Sequence, residues 1–172
     1  MSVVKLNPMQ EIRIEKVTLN VGCAGDLQKI ERAKKLLEKL TGQKPVITKS
    51  RKRSTFGIAK GKPVGVKVTL RKEKALNFLR LVLQAVGKLK VSQFDENGNL
   101  NIGIKEYIDL PGVKYSHEIG MLGFDVAVTL ERPGFRIKRR KRMRRKIPSK
   151  VKIKKDEAIK WFREKFGVSI VE

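Results

Sequence analysis

Between Val64 and Arg71 apolar and polar residues alternate strictly. Val64, Val66, Val68 and Leu70 share one side, and Gly65, Lys67, Thr69 and Arg71 share the other. Successive side chains of a strand point to opposite faces, so this segment belongs in a sheet with one face on a core and one on something polar. The same strand lies within Lys39–Lys72, 34 residues that hold eleven Lys or Arg and no Asp or Glu. A second acid-free tract, Arg136–Lys155, places thirteen Lys or Arg in twenty residues. Charge at that density repels itself. In a 172-residue chain of net charge +24, the polyanion best suited to relieve the repulsion is nucleic acid.

The remaining elements can be read from periodicity. In Glu11–Gly22 the apolar residues Ile12 and Ile14 fall on one parity and Val17, Leu19 and Val21 on the other. That change of phase requires a bulge or turn near Glu15–Lys16. Asp26 is placed to N-cap a helix over Leu27–Leu40, whose stripe is Leu27, Ile30, Ala33, Leu36, Leu37 and Leu40, with Gly42 as its stop. Pro45–Thr48 reads as a short strand, and Glu73–Val86 as an apolar helix ended by Gly87. Asn101–Tyr107 and Phe124–Arg132 alternate as strands around an Asp109–Gly123 loop. Asp156 is expected to cap a last helix, Glu157–Phe166, stopped by Gly167. The fold class expected is α+β: one mostly antiparallel sheet of four to five strands, helices packed on one face, and long basic loops. A single domain over residues 1–172 is expected, with a basic loop at 49–63 and a basic segment at 136–155.

Several function classes find no support. One Cys (Cys23) and one His (His117), 94 positions apart, cannot make a structural zinc site. As a nucleophile pair they are set aside, Cys23 reading as a half-buried thiol and His117 as a surface imidazole. Gly57–Gly65, GIAKGKPVG, lacks the Gly-Lys-Ser/Thr and following helix of a phosphate loop. No cofactor, metal or catalytic residue is expected. The opening MSVVKLNPMQ has no apolar signal core, and Arg80 and Gln84 interrupt the best apolar stretch. The expectation is therefore a cytoplasmic protein without a membrane partner; no homo-oligomer is expected either.

If the first and third strands are neighbours, the polar face presents Thr18, Asn20, Lys67, Thr69 and Arg71. Lys and Arg neutralise phosphates, while Thr and Asn hydrogen-bond without demanding a base. Gly22 and Gly65 are expected to leave room for close backbone approach. An ordinary solvated face is the plain alternative, and the missing acids favour RNA or DNA contact. The loop Lys49–Lys62 is too long and too basic for a simple connection, with Phe56 and Ile58 near its middle. Lys138–Lys146 has eight basic residues in nine; free in solution it reads as a partly disordered tail, and against RNA as an electrostatic clamp. Aromatics are only 6% of the chain, which argues for recognition of folded RNA by shape and backbone over base stacking.

Five segments in order, TLNVGCAGD (18–26), LTGQKPVITKSR (40–51), FGIAKGKPVGVKVTLR (56–71), GIKEYIDLPGVKY (103–115) and GFDVAVTLERPGFRIKRR (123–140), resemble the 5S rRNA-binding large-ribosomal-subunit protein family, ribosomal protein L-five, in its archaeal form. The resemblance implies a protein of the central protuberance that helps attach 5S rRNA. Its 5S-facing positions would be Asn20, Gly22, Gln43, Lys44, Thr48, Lys67, Thr69 and Arg71. The loop carrying Lys49, Arg51, Lys52, Arg53, Lys60 and Lys62 would point to P-site tRNA or rRNA. The Asp109–Gly123 loop would meet a small-subunit head protein across an intersubunit bridge. Arg136, Lys138, Arg139 and Arg140 would touch large-subunit rRNA or other large-subunit proteins. The chain departs from the family at Cys23, and its basic run is denser than in bacterial members.

Two rival classes are weighed. A general nucleic-acid-binding architectural protein would bind 5S rRNA, other RNA and duplex DNA alike. An RNA-modifying enzyme would need a metal cluster or cofactor loop that the sequence does not supply.

Overall fold

The computed structural model describes residues 7–53 and 57–171. Seven strands and three helices follow in the order β1 (Arg13–Gly22), α1 (Leu27–Thr41), β2 (Val46–Lys49), β3 (Pro63–Leu70), α2 (Lys72–Val86), β4 (Lys88–Lys90), β5 (Leu100–Ile104), β6 (Phe124–Glu131), α3 (Lys155–Phe166) and β7 (Ser169–Val171). Five strands form one antiparallel sheet in the order β2-β3-β1-β6-β5. This is the α+β architecture expected, and β1 and β3 are indeed neighbours, with Asn20 opposite Lys67 and Thr18 opposite Thr69.

The alternation decides which face is buried. Val17, Leu19 and Val21 of β1, Val66, Val68 and Leu70 of β3, and Phe124, Val126, Val128 and Leu130 of β6 are all buried. They pack with Ile30, Ala33, Leu36 and Leu37 of α1 and Ala75, Phe78, Leu79 and Val82 of α2. The register of β1 on β6 shifts between Ile14 and Lys16. This bulge reconciles the two parities, because one extra residue lets Ile14 and Val17 both face the core.

Local signals set the helix ends. Asp26 accepts from the N–H groups of Gln28 and Lys29 at 3.0 and 3.4 Å, and Gly42 closes α1 in the left-handed conformation. Leu27, expected on the buried stripe, is instead 65% exposed. α3 begins slightly earlier than expected. Lys154, not Asp156, is its N-cap, and its N–H donates to the Glu157 carboxylate at 3.2 Å.

Other boundaries move for stated reasons. β5 stops at Ile104, and Tyr107 enters a 3-10 turn, fully buried, with its hydroxyl accepting from the Ser116 N–H at 2.8 Å. The strands β4 and β7 have no counterpart among the expected elements; they pair in parallel, Leu89 opposite Ile170. The neighbouring α3 carries an aromatic cluster in which Phe162 meets Phe94, Trp161 and Phe166 at centroid distances of 5.6, 5.1 and 5.7 Å.

Gly65 shows how tightly the sheet is built. A Cβ there would lie 2.4 Å from the Val21 carbonyl oxygen, whereas a Cβ at Gly22, its partner in register, would meet nothing within 4 Å. The room expected at Gly65 for a ligand is thus taken up by the neighbouring strand; at Gly22 it is open. Gly65→Ala should destabilise the fold by about 1–3 kcal/mol through overpacking. Gly22→Ala should stay within about 0.5 kcal/mol. Urea unfolding midpoints of the two variants, compared with the parent, check the contrast.

Candidate nucleic-acid interface

With the helices on one side, the side chains of opposite parity line the other face of the sheet. β3 contributes Lys67 and Thr69, β1 contributes Lys16, Thr18, Asn20 and Gly22, and β2 contributes Thr48. Asn20, Gly22 and Lys67 are exposed, while Thr18, Thr48 and Thr69 are half-buried between strands. The result is a shallow strip with ammonium groups, hydroxyls and an amide at strand spacing. These groups suit phosphate and ribose oxygens, which accept hydrogen bonds in many orientations.

The far half of the face differs. Asp125 of β6 stands opposite both Asn20 and Gly103, and Asn101 lies across from Ala127. Asp125 is exposed, and a carboxylate there repels phosphate. Sequence reading overlooked this boundary, although the register places Asp125 directly beside Asn20. The cationic half is therefore β2-β3-β1.

Around that half lie the other predicted residues. Lys44 is exposed and Gln43 half-buried in the turn after α1, where the Gln43 N–H donates to the Thr41 hydroxyl at 3.3 Å. Lys49 is exposed at the end of β2. The basic loop is closed at its base by Ser50 N–H to the Lys62 carbonyl and Gly61 N–H to the Ser50 carbonyl, both 2.9 Å. Beyond this base Arg51, Lys52, Arg53 and Lys60 are exposed, as is Lys62, and none of them forms an ion pair among the described residues. Ile58 is half-buried; Phe56 lies outside the described residues.

Arg71 is placed differently from Lys67. It is the residue between β3 and α2, its side chain is 54% exposed, and it stands 3.9 Å from the Glu15 carboxylate. Glu15, at the bulge, is the residue that the sequence reading missed. Only 13% exposed, it also lies 3.7 Å from Lys16 and 2.6 Å from Arg139. The second Arg139 nitrogen meets Glu131 at 2.6 Å, so one guanidinium forks onto two carboxylates.

The second acid-free tract accordingly has more local order than a solvated tail. A 3-10 turn spans Phe135–Lys138, the Arg140 Nε donates to the Met143 carbonyl at 2.9 Å, and the Arg145 N–H donates to the Ile137 carbonyl at 3.4 Å. Arg136 and Lys138 are exposed. Thus Arg136 and Lys138 are available to a partner, whereas Arg139 and Arg140 are already engaged within the protein. Elsewhere on the surface, Lys35 of α1 meets Glu118 of the 109–123 loop at 3.1 Å, and Tyr115 and Met121 of that loop are exposed.

Among the described residues Cys23 and His117 form no nucleophile pair. Cys23 is buried, only 2% exposed, and His117 is exposed on the loop just described. Burial, with the Asp26 carboxylate adding to it and Lys29 opposing, pushes the Cys23 thiol above its ordinary pKa. A nucleophilic cysteine needs the reverse shift. Among the described residues no three His, Cys, Asp or Glu gather to hold a metal ion, and no helix is long and apolar enough to cross a membrane.

Fold and face together define a class: an α+β protein whose helices cover one face of its five-stranded sheet and whose other face is open and half cationic. Two family models match the chain, ribosomal protein L5 over residues 7–58 and the C-terminus of the same ribosomal family over residues 63–162. Proteins described as large ribosomal subunit protein uL5 are similar along nearly the whole length. That of Sulfurisphaera tokodaii is 48% identical over 97% of this chain and 96% of its own. That of Nanoarchaeum equitans is 49% identical over 96% of this chain and 99% of its own, and that of Methanobrevibacter smithii 44% over the same shares. The chain belongs to the ribosomal protein L5 family, and it is a structural protein, not an enzyme. The two matched stretches share one sheet, β1 and β2 coming from the first and β3, β5 and β6 from the second.

The state of Cys23 makes a simple prediction. A raised pKa leaves less thiolate at neutral pH, and burial blocks access. Iodoacetamide should therefore label native protein at pH 7.5 at least about tenfold more slowly than protein unfolded in urea. Mass spectrometry of the Cys23 peptide over time measures both rates.

Proposed function

We propose that this protein is a structural component of the large subunit of the cytoplasmic ribosome and that it binds 5S rRNA through the β2-β3-β1 half of its open sheet face. The observation that carries the reading is the pairing of Asn20 with Lys67 and of Thr18 with Thr69 on the face opposite the helices. Full-length similarity to large-subunit proteins supports the subunit assignment. On this reading Asn20, Gly22, Gln43, Lys44, Thr48, Lys67, Thr69 and Arg71 form the 5S surface, and the chain acts as one domain built around the shared sheet. In that role it helps hold 5S rRNA in the central protuberance.

The peripheral elements take the other contacts. The exposed cations of the 49–63 loop reach P-site tRNA or rRNA, and the 109–123 loop presents its exposed Tyr115 and Met121 to a protein of the small-subunit head. Arg136, Lys138 and their neighbours meet large-subunit rRNA or adjacent proteins. Recognition is by backbone and shape, because the cationic half of the face offers charge and hydroxyls, with no stacking aromatic residue among those described.

Competition between 5S rRNA, tRNA and duplex DNA at several ionic strengths tests the reading. A clear preference for 5S rRNA at every salt concentration is expected; equal affinity for all three would instead make the protein a general architectural binder. Lys67→Gln should weaken 5S binding and flatten the slope of log affinity against log salt by about one for each phosphate no longer neutralised. Unchanged affinity and slope would exclude the sheet face.

A further inference from the structure

Glu15 stands where charge counting would not put an acid. It lies at the end of the cationic half of the sheet face, in a chain of net charge +24, and its carboxylate repels any phosphate that approaches. Yet it is nearly enclosed by Lys16, Arg71 and Arg139 at 3.7, 3.9 and 2.6 Å. These cations come from three places in the chain: the central strand, the end of β3, and the start of the basic tract. Arg139 is 124 positions from Glu15 in sequence. Without a carboxylate between them three cations repel one another. Among the described residues the only other ion pair from the 136–146 segment to the sheet is Arg139 to Glu131. The bulge between Ile14 and Lys16 gives Glu15 its place, since a regular strand at this point would have no extra residue to hold a side chain off the ladder.

We infer that Glu15 is a positioning residue for RNA binding: with Glu131 it grips Arg139 and fastens the 136–146 segment to the end of the sheet face, so that Arg71, Lys16 and the segment meet one polyanion as a continuous surface. The inference rests on the sheet-face reading above and adds to it a residue of the wrong charge. An anion improves binding here by organising cations. Preorganisation reduces the conformational freedom that the segment gives up when it docks.

The sign of one substitution separates this from plain electrostatics. Glu15→Gln removes a negative charge beside the interface, so charge counting demands tighter RNA binding and a steeper salt dependence. Positioning demands the opposite: 5S rRNA binding about fivefold weaker, with a shallower slope, because one well-formed charged pair no longer holds the segment. Equal or tighter binding overturns the proposal. A second readout needs no RNA. Trypsin should cut after Arg139 in free full-length protein about fivefold faster in Glu15→Gln than in the parent, for the same reason; equal rates overturn the proposal. Glu15→Asp, which keeps the carboxylate, should lie closer to the parent in both assays. Should Glu15→Gln fail to fold, as judged by thermal unfolding, Glu131→Gln cuts the other arm of the same fork and carries the same expectations. Lys67→Gln in the same titration distinguishes the two readings. If it binds normally, the sheet face fails while trypsin still judges the grip; if it weakens binding and Glu15→Gln does not, only the positioning role fails.

Discussion

Everything in this molecule hangs on the central strand β1 committing one side to the core, fully from Val17 to Val21. Val17, Leu19 and Val21 are buried between α1, α2 and the flanking strands, and Ile12 and Ile14 pack on the same core from the other side of the bulge. Fully burying a side chain of this kind stabilises the fold by about 1.5–3 kcal/mol, and strand pairing on both edges satisfies the backbone. Because side chains alternate, this commitment leaves Thr18, Asn20 and Gly22 on the opposite side. The binding strip follows from the core.

The same residues explain what could be read in the sequence. The alternation of Val64–Arg71 announced a two-faced strand, and the loss of phase after Ile14 announced the bulge that the register of β1 and β6 contains. Asp26 announced a helix start through its side-chain chemistry. Each signal is local, set by a few neighbouring residues. Lys67, Thr69, Thr18 and Asn20 could be grouped before the fold was known because only one pairing, β1 with β3, was needed to bring them together.

What escaped the sequence depends on long-range placement. Lys88–Lys90 and Ser169–Val171 are too short to show a period, and each becomes a strand only because α3 carries the chain end back to the middle. Gly65 looked like room for a ligand, and only the position of the Val21 carbonyl shows that another strand occupies it. Glu15 read as a charge at a bulge; its three cations come from positions 16, 71 and 139. Asp125 lies within the expected strand Phe124–Arg132, and only its place opposite Asn20 makes it the border of the cationic half. Local chemistry gives the elements, and pairing decides which of their polar groups share a neighbourhood.

The order of the strands along the polypeptide has a temporal meaning. All five strands of the large sheet end by Glu131, before Arg139, α3 and β7. On a chain synthesised from its N-terminus, domains fold as they emerge, so the sheet can close before α3 and β7 have been made. The parallel pair β4 and β7 can join only after α3 and Ser169–Val171 have followed. A partly made protein would thus carry a finished sheet and an unmatched Lys88–Lys90, and the second strand pair closes last.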